Sequence, residues 1–153
     1  MKRALIGAGL MLCLLSRMAD AAEPAFLLRE FRQVQGMLES ATGCQFLDVW
    51  LAVTPEQRAQ GLMYVRELGA YESMLFTTPQ PAVLSMWMKN TYIPLDMIFI
   101  GTNSRVSSIA ADRVPLSEES VKSTEPVVAI LEVNGGYAAR HRVRHGDRFV
   151  LFN

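Results

Sequence analysis

The residues best suited to chemistry in this sequence are concentrated in one short segment. Residues 86–96 place a cation, an amide and a hydroxyl between two aromatic side chains: Trp87, Lys89, Asn90, Thr91 and Tyr92. Polar groups of these types in a turn can hold an anionic or sugar ligand through several directed hydrogen bonds. Aromatic faces suit sugar rings and cations. The segment therefore predicts a ligand-binding turn; the alternative is a polar turn that only caps its own backbone.

Two carboxyl groups stand where the alternation of a β-strand predicts an apolar face. Asp96 shares its strand face with Ile98 and Ile100. Glu132 lies two residues after Ile130 and shares that residue's face. An unpaired charge on a buried face is expensive, so each carboxyl needs a partner. Brought together, the two would supply a general acid and a general base, as in glycoside hydrolases; the alternative is that both accept structural hydrogen bonds.

Other reactive residue types do not assemble into a recognisable centre. His141 and His145 are four residues apart, but the arginines around them would repel a metal ion, so we predict no metal site and no cofactor. The strip Arg140–His145 is interpreted as a solvated face or as a contact with an anionic surface. Cys44 adjoins Phe46 in a strand-like run and has no histidine near it, so we expect a buried, inert thiol rather than a reactive one.

Length and composition limit the classes of protein that can contain these residues. The chain has 153 residues, half of them hydrophobic, with 15 basic and 15 acidic side chains. This length suits one domain with its own core, and the composition excludes disordered and collagen-like proteins. The balanced charge, without a long Lys/Arg run, argues against nucleic acid as a partner.

The N-terminus has the organisation of a secretory signal peptide. Lys2 and Arg3 precede an apolar run, residues 4–15, that is too short to span a bilayer. Small residues occupy the two positions that a signal peptidase reads before a cut after Ala21. We therefore expect residues 1–21 to be removed and the protein to be periplasmic or secreted, with no transmembrane segment afterwards. A membrane anchor is the alternative.

The remaining sequence predicts a mainly β domain, either an antiparallel barrel or a sandwich, with one short helix. Thr54-Pro55-Glu56-Gln57 has the parts of a capped helix start, so a helix is expected near 55–60. A turn at 41–43 predicts a hairpin. Short strands with turns between them are expected at 44–53, 73–76, 84–88, 95–100, 106–111, 127–133 and 148–152. We divide the remainder into an N-terminal extension with the first hairpin strand, 22–45, and a single β-rich domain, 46–153.

From about Phe46 to Phe152 the chain resembles the domain of unknown function 192 family. The matching pieces are Trp87-Met88-Lys89-Asn90-Thr91, Ile93-Pro94-Leu95-Asp96, Gly61-Leu62-Met63, Met74-Leu75-Phe76, Leu131-Glu132 with Gly136, and Gly146-Asp147. The resemblance implies a small, mainly β domain, often behind a signal peptide, with no established activity. Ser73 stands where the family commonly has glycine, so we expect no glycine-only backbone conformation there.

Taken together, these features predict an exported single-domain protein that binds a small polar ligand or a cell-envelope component. The predicted contacts are Trp87, Lys89, Asn90, Thr91, Tyr92, Asp96 and Glu132. One alternative is a cell-envelope hydrolase that uses Asp96 and Glu132 as its carboxylate pair. The other is a purely structural module.

Overall fold

One curled sheet of seven strands is the scaffold of residues 28–152, the part of the chain that the computed structural model describes. The strands are β1 (Arg32–Ser40), β2 (Gly43–Ala52), β3 (Glu72–Ala82), β4 (Ser85–Met86), β5 (Leu95–Ile100), β6 (Val106–Arg113), β7 (Val121–Lys122), β8 (Val127–Asn134) and β9 (Arg148–Phe152). The large sheet has the order β6-β5-β8-β3-β2-β1-β9, and β4 pairs with β7 separately. The predicted mainly β fold is confirmed. The predicted signal peptide, 1–21, lies outside the described residues.

The sheet curls until its two edge strands meet at one end. Arg105, beside β6, forms an isolated bridge with Arg148 of β9. Val106 donates its backbone N–H to the carbonyl of Asp147 at 2.8 Å, and Phe149 donates to the carbonyl of Ser104 at 2.9 Å. The result is a half-barrel whose two edge strands are joined at this end.

Because successive side chains of a strand point to opposite faces, the sheet carries two separate cores. The inner core fills the half-barrel and includes Leu38, Leu47, Val49, Leu75, Ile98, Ile100, Leu131, Val133 and Phe149. The outer core lies on the other face of β3, β5 and β8, where residues from segments 28–31, 62–68 and 84–93 cover it. Its strand residues include Met74, Phe76, Met97, Phe99 and Ile130. The candidate site belongs to the outer core.

Helix α1 (Pro55–Gln60) begins as the sequence predicts. The Thr54 hydroxyl accepts a hydrogen bond from the Gln57 backbone N–H at 3.2 Å, and the Gln57 side chain accepts from the Thr54 N–H at 3.1 Å. This capping box pairs two N–H groups that the first helical turn leaves free. The helix connects β2 to β3, which run parallel, and this is the one parallel pair of the described sheet.

Two local features differ from the sequence prediction. The predicted loop at Pro79–Pro81 lies inside β3, where the register against β8 shifts between Thr77 and Ala82; proline lacks an N–H, so it is tolerated where a ladder is irregular. The predicted strand at 84–88 is reduced to the two residues of β4, which pair with β7 inside the predicted loop 115–126.

Cys44 corrects a prediction, because its thiol is exposed rather than buried. The neighbouring side chain on the same face, Phe46, is 60% exposed, whereas Leu47 on the opposite face is in the inner core. The strand-like sequence therefore identified the strand correctly but not which of its faces is covered.

We expect Cys44 to react with a maleimide in the native protein at a rate within tenfold of the unfolded chain, because exposure controls access to a thiol. The measurement uses a Cys13→Ser background, so that labelling reports Cys44 alone. Cys44→Ser should change the free energy of unfolding by less than about 0.5 kcal/mol, as at other exposed positions. Labelling that required denaturant would contradict the exposed placement.

Candidate functional site

The loop from Trp87 to Pro94 is held in place by the segment that follows α1. Asn90 has a left-handed backbone, φ 55°, a conformation that asparagine tolerates better than most residues. The side-chain amide of Asn90 donates to the Tyr64 hydroxyl at 3.1 Å, and the backbone carbonyl of Asn90 accepts from the Tyr64 backbone N–H at 2.8 Å. Asn90 therefore positions the loop.

The residues after β6 hold the same loop from its other side. The Met88 N–H donates to the carbonyl of Ser117 at 2.9 Å, and the Leu116 N–H donates to the carbonyl of Thr91 at 3.0 Å. Thr91 also donates its own N–H to the Met88 carbonyl at 3.0 Å. With its backbone paired in this way, Thr91 is buried, at 5% exposed, and Lys89 is fixed between two anchored neighbours.

The loop, α1 and β8 together form a small cleft over the outer core. The cleft has a volume of about 30 Å³, which is room for one or two water molecules. Its polar lining comes from three elements: Arg58 and Gln60 from α1, Lys89 and Thr91 from the loop, and Glu132 from β8. Its apolar lining includes Gly61, Leu62, Met63, Phe76, Met86 and Trp87.

Gly61 allows the end of α1 to approach the sheet this closely. Its backbone has φ 50°, and a Cβ atom there would lie 3.1 Å from the Phe76 ring. Both the conformation and the contact favour glycine. The helix consequently places Arg58 at the rim, where its guanidinium donates to the carbonyls of Val53 and Thr77.

Glu132 is the most unusual group in the cleft. It is 3% exposed and its cross-strand neighbours on both sides, Met74 and Met97, are apolar. None of the hydrogen bonds formed among residues 28–152 reaches its carboxyl group, and burial alone raises its pKa from 4.5 to about 8. A buried carboxyl without a protein partner is costly, which makes Glu132 a candidate functional residue.

The two cations of the cleft are bound to neutral groups. Lys89 places its ammonium 5.1 Å from the centre of the Trp87 ring, within the range of a cation–π interaction. Arg58 donates to backbone carbonyls, and the acidic side chain that interacts with it is Glu56, at the exposed start of α1. The mouth of the cleft therefore has a positive character.

Asp96 lies on the opposite face of the sheet and does not belong to this cleft. In the pairing of β5 with β8, Asp96 is opposite Val133 and Met97 is opposite Glu132. Residues opposite each other share a face, so Asp96 and Glu132 face opposite sides. The expected carboxylate pair is not assembled, and the acid–base hydrolase that depended on it is not supported by the structure.

Asp96 instead forms hydrogen bonds with the backbone of two neighbouring segments. Its carboxyl oxygens accept three backbone N–H groups, from Asp112 at 2.7 Å, Gly136 at 3.1 Å and Ala138 at 2.7 Å. The last two belong to the start of helix α2 (Tyr137–Arg140). Asp96 is fully buried, and these bonds attach α2 to the end of the half-barrel.

The structure thus brings together four of the seven predicted contact residues, which are Trp87, Lys89, Thr91 and Glu132. Tyr92 is 40% exposed and packs edge-on against Tyr64, with ring centres 6.1 Å apart, outside the cleft lining. The sequence did not lead us to expect Arg58 and Gln60, which also line the cleft. The signal that could have found them is the Gly61-Leu62-Met63 motif, directly after a capped helix.

A larger groove adjoins the cleft on the outer face. Its volume is about 280 Å³, and it shares Arg58, Phe76 and Met86 with the cleft. Its other lining residues are Thr77, Thr78, Leu84, Ser85 and Ile130. The cleft and the groove are therefore neighbours on the outer face.

Comparisons with known proteins agree with this fold. The sequence model of the DUF192 family, described as an uncharacterized ACR, matches residues 36–151. A protein from Sinorhizobium meliloti 1021, described as a "putative transcription regulator", is 42% identical, with a TM-score of 0.76 over 79% of this chain and 95% of that one. A protein of unknown function from Novosphingobium aromaticivorans DSM 12444 is 40% identical, with a TM-score of 0.75 over 77% of this chain and 84% of that one.

No curated protein matches the sequence. Within residues 28–152, neither helix has the length and apolar character needed to cross a bilayer.

Proposed function

We propose that this chain, which belongs to the DUF192 family, is an exported binding module that holds a small polar ligand in the cleft between Lys89 and Glu132. Export follows from the sequence of residues 1–21. Binding is favoured over catalysis because, among residues 28–152, one carboxyl group and not a pair lines the cleft.

The observation that carries this proposal is the Glu132 carboxyl, which is buried at the base of an open cleft without a protein hydrogen-bond partner among residues 28–152. A ligand that supplies the missing hydrogen bond removes much of the cost of burying this group. Lys89 and Thr91 provide further donors at the same cleft, and Trp87, 47% exposed at the mouth, provides an aromatic face. Several directed polar groups beside an apolar wall are typical of small-molecule sites.

A thermal-shift screen tests the proposal with short carboxylic acids, monosaccharides and cell-wall sugars. A ligand at about 100 times its Kd should add about 2.7 kcal/mol of stability, which raises Tm by roughly 5 to 10 °C. Lys89→Ala should abolish the shift. Lys122→Ala, which removes the other lysine of the described region from an exposed position on β7, should preserve it.

Either of two results would count against this function. A shift of equal size in Lys89→Ala would place the ligand outside the cleft. A panel without any shift in the unaltered protein would reject small-ligand binding.

A further inference from the structure

We propose that the ligand is an oxyacid with one negative charge and an apolar body, its head group in the Glu132 cleft and its body in the adjoining groove. This inference rests on the binding function proposed above. It adds the chemical class of the ligand, which is argued from the size and lining of the two adjoining volumes.

The cleft and the groove differ in volume, so they suit different parts of a ligand. The cleft, at about 30 Å³, accepts a group no larger than a carboxylate or one or two waters. The groove, at about 280 Å³, is almost ten times larger and shares Arg58, Phe76 and Met86 with the cleft. A molecule that reaches Glu132 therefore has a small head and a larger body in the groove.

The groove favours an apolar body. Four apolar side chains line it: Phe76, Leu84, Met86 and Ile130. The Thr78 hydroxyl at its rim donates to the Gln80 carbonyl at 3.0 Å, and the Ser85 hydroxyl is paired with that of Ser120. Since these hydroxyls have partners in the protein, they offer few free hydrogen bonds to a sugar, and apolar contact dominates.

The cleft favours an anionic oxygen. Lys89 and Arg58 are bound to an aromatic ring and to backbone carbonyls, so their charges are only partly offset, by Glu56 on α1. Because burial keeps the Glu132 carboxyl protonated at neutral pH, it is a hydrogen-bond donor there. A carboxylate oxygen of the ligand can accept a hydrogen bond from this carboxyl while two cations lie nearby, and a protonated carboxyl holds no charge that would repel it.

Isothermal titration of the purified protein at pH 6.5 with acetate, hexanoate and hexan-1-ol tests the inference. Hexanoate should bind at least tenfold more tightly than acetate, because its extra methylenes enter the groove. Hexan-1-ol should bind at least tenfold more weakly than hexanoate, because it lacks the anionic head. The affinity for hexanoate should fall when the pH is raised above 8, where Glu132 loses its proton.

Two variants separate the head site from the body site. Thr78→Trp fills the groove and should remove the advantage of hexanoate over acetate, while Thr102→Trp, at an exposed turn, should not. Lys89→Met should weaken both acids at least tenfold and leave hexan-1-ol unchanged. Circular dichroism checks that each variant is folded, and the Lys89→Met result tests the inference even where Thr78→Trp fails to fold.

The outcomes distinguish the two proposals. Equal binding of acetate and hexanoate, or of hexanoate and hexan-1-ol, would overturn the apolar oxyacid and leave the binding function in place. Binding of a monosaccharide in the same cleft without binding of either acid would do the same. Failure of every acid and every sugar would overturn both.

Discussion

Asp96→Asn is expected to lower the free energy of unfolding by about 1 to 3 kcal/mol, the cost of leaving a buried hydrogen-bond donor unpaired. The two carboxyl oxygens accept the N–H groups of Asp112, Gly136 and Ala138. An asparagine amide has one oxygen, so its NH₂ group must face at least one of these donors. That donor is left unpaired in a fully buried site.

Urea unfolding measures this effect as a shift of the midpoint at constant m. Asp112→Asn is the matched control, because Asp112 is exposed and its left-handed backbone, φ 48°, is one that asparagine also adopts. The control should change stability by less than about 0.5 kcal/mol. An Asp96→Asn protein that unfolds at the same urea concentration as the unaltered chain would contradict the structural role.

The parts of the fold that depend on local sequence were predictable. The strand Leu95–Ile100 is apolar at every position except Asp96 and is bounded by a proline and a glycine, and the structure gives it the predicted bounds. Helix α1 was predictable because a hydroxyl, a proline and a glutamine in the right order satisfy its first turn. These features require no knowledge of distant residues.

The parts that depend on distant partners were not predictable from the sequence alone. The parallel pairing of β2 with β3 and the meeting of the two sheet edges each join residues far apart in the chain. Cys44 was placed on the wrong side for the same reason, because only the tertiary structure shows that its face of β2 is uncovered.

Asp96 and Glu132 show the same dependence on distant partners. The alternation of side chains places Asp96 on the same face of β5 as Ile98, and Glu132 on the same face of β8 as Ile130. It does not show which face of β5 lies on the same side of the sheet as which face of β8. That relation depends on the register between β5 and β8, in which position 96 meets position 133 rather than 132. A shift of one residue in register would have placed both carboxyls on one face.

Glu132→Gln is expected to make the protein more stable at neutral pH, by about 3 kcal/mol at pH 7 and by less in more acidic solution. The pKa of this carboxyl rises from 4.5 in the unfolded chain to about 8 in the folded protein. The folded protein therefore holds the proton more tightly, and it loses stability as the pH rises from about 4.5 to 8. Glutamine has the shape of the protonated acid but cannot ionise, so it removes this loss.

Thermal melts of both proteins between pH 4 and 9 measure the difference. The two Tm values should coincide near pH 4, separate through pH 5 to 8, and stay at a constant separation above that, roughly 6 to 12 °C at pH 7. Glu67→Gln, the same change at an exposed residue after α1, should follow the unaltered protein at every pH. A Glu132→Gln protein less stable than the unaltered one at pH 7 would contradict this prediction and return Glu132 to a structural role.

This result would also bear on why the residue is a glutamate. A side chain that lowers stability at neutral pH is retained where it serves binding, since functional groups are commonly kept at a cost to the fold. If Glu132→Gln gains stability and loses the pH dependence of ligand affinity, the same carboxyl accounts for both effects. A gain in stability with ligand affinity and its pH dependence unchanged would separate them and move the binding group to Lys89 and Thr91.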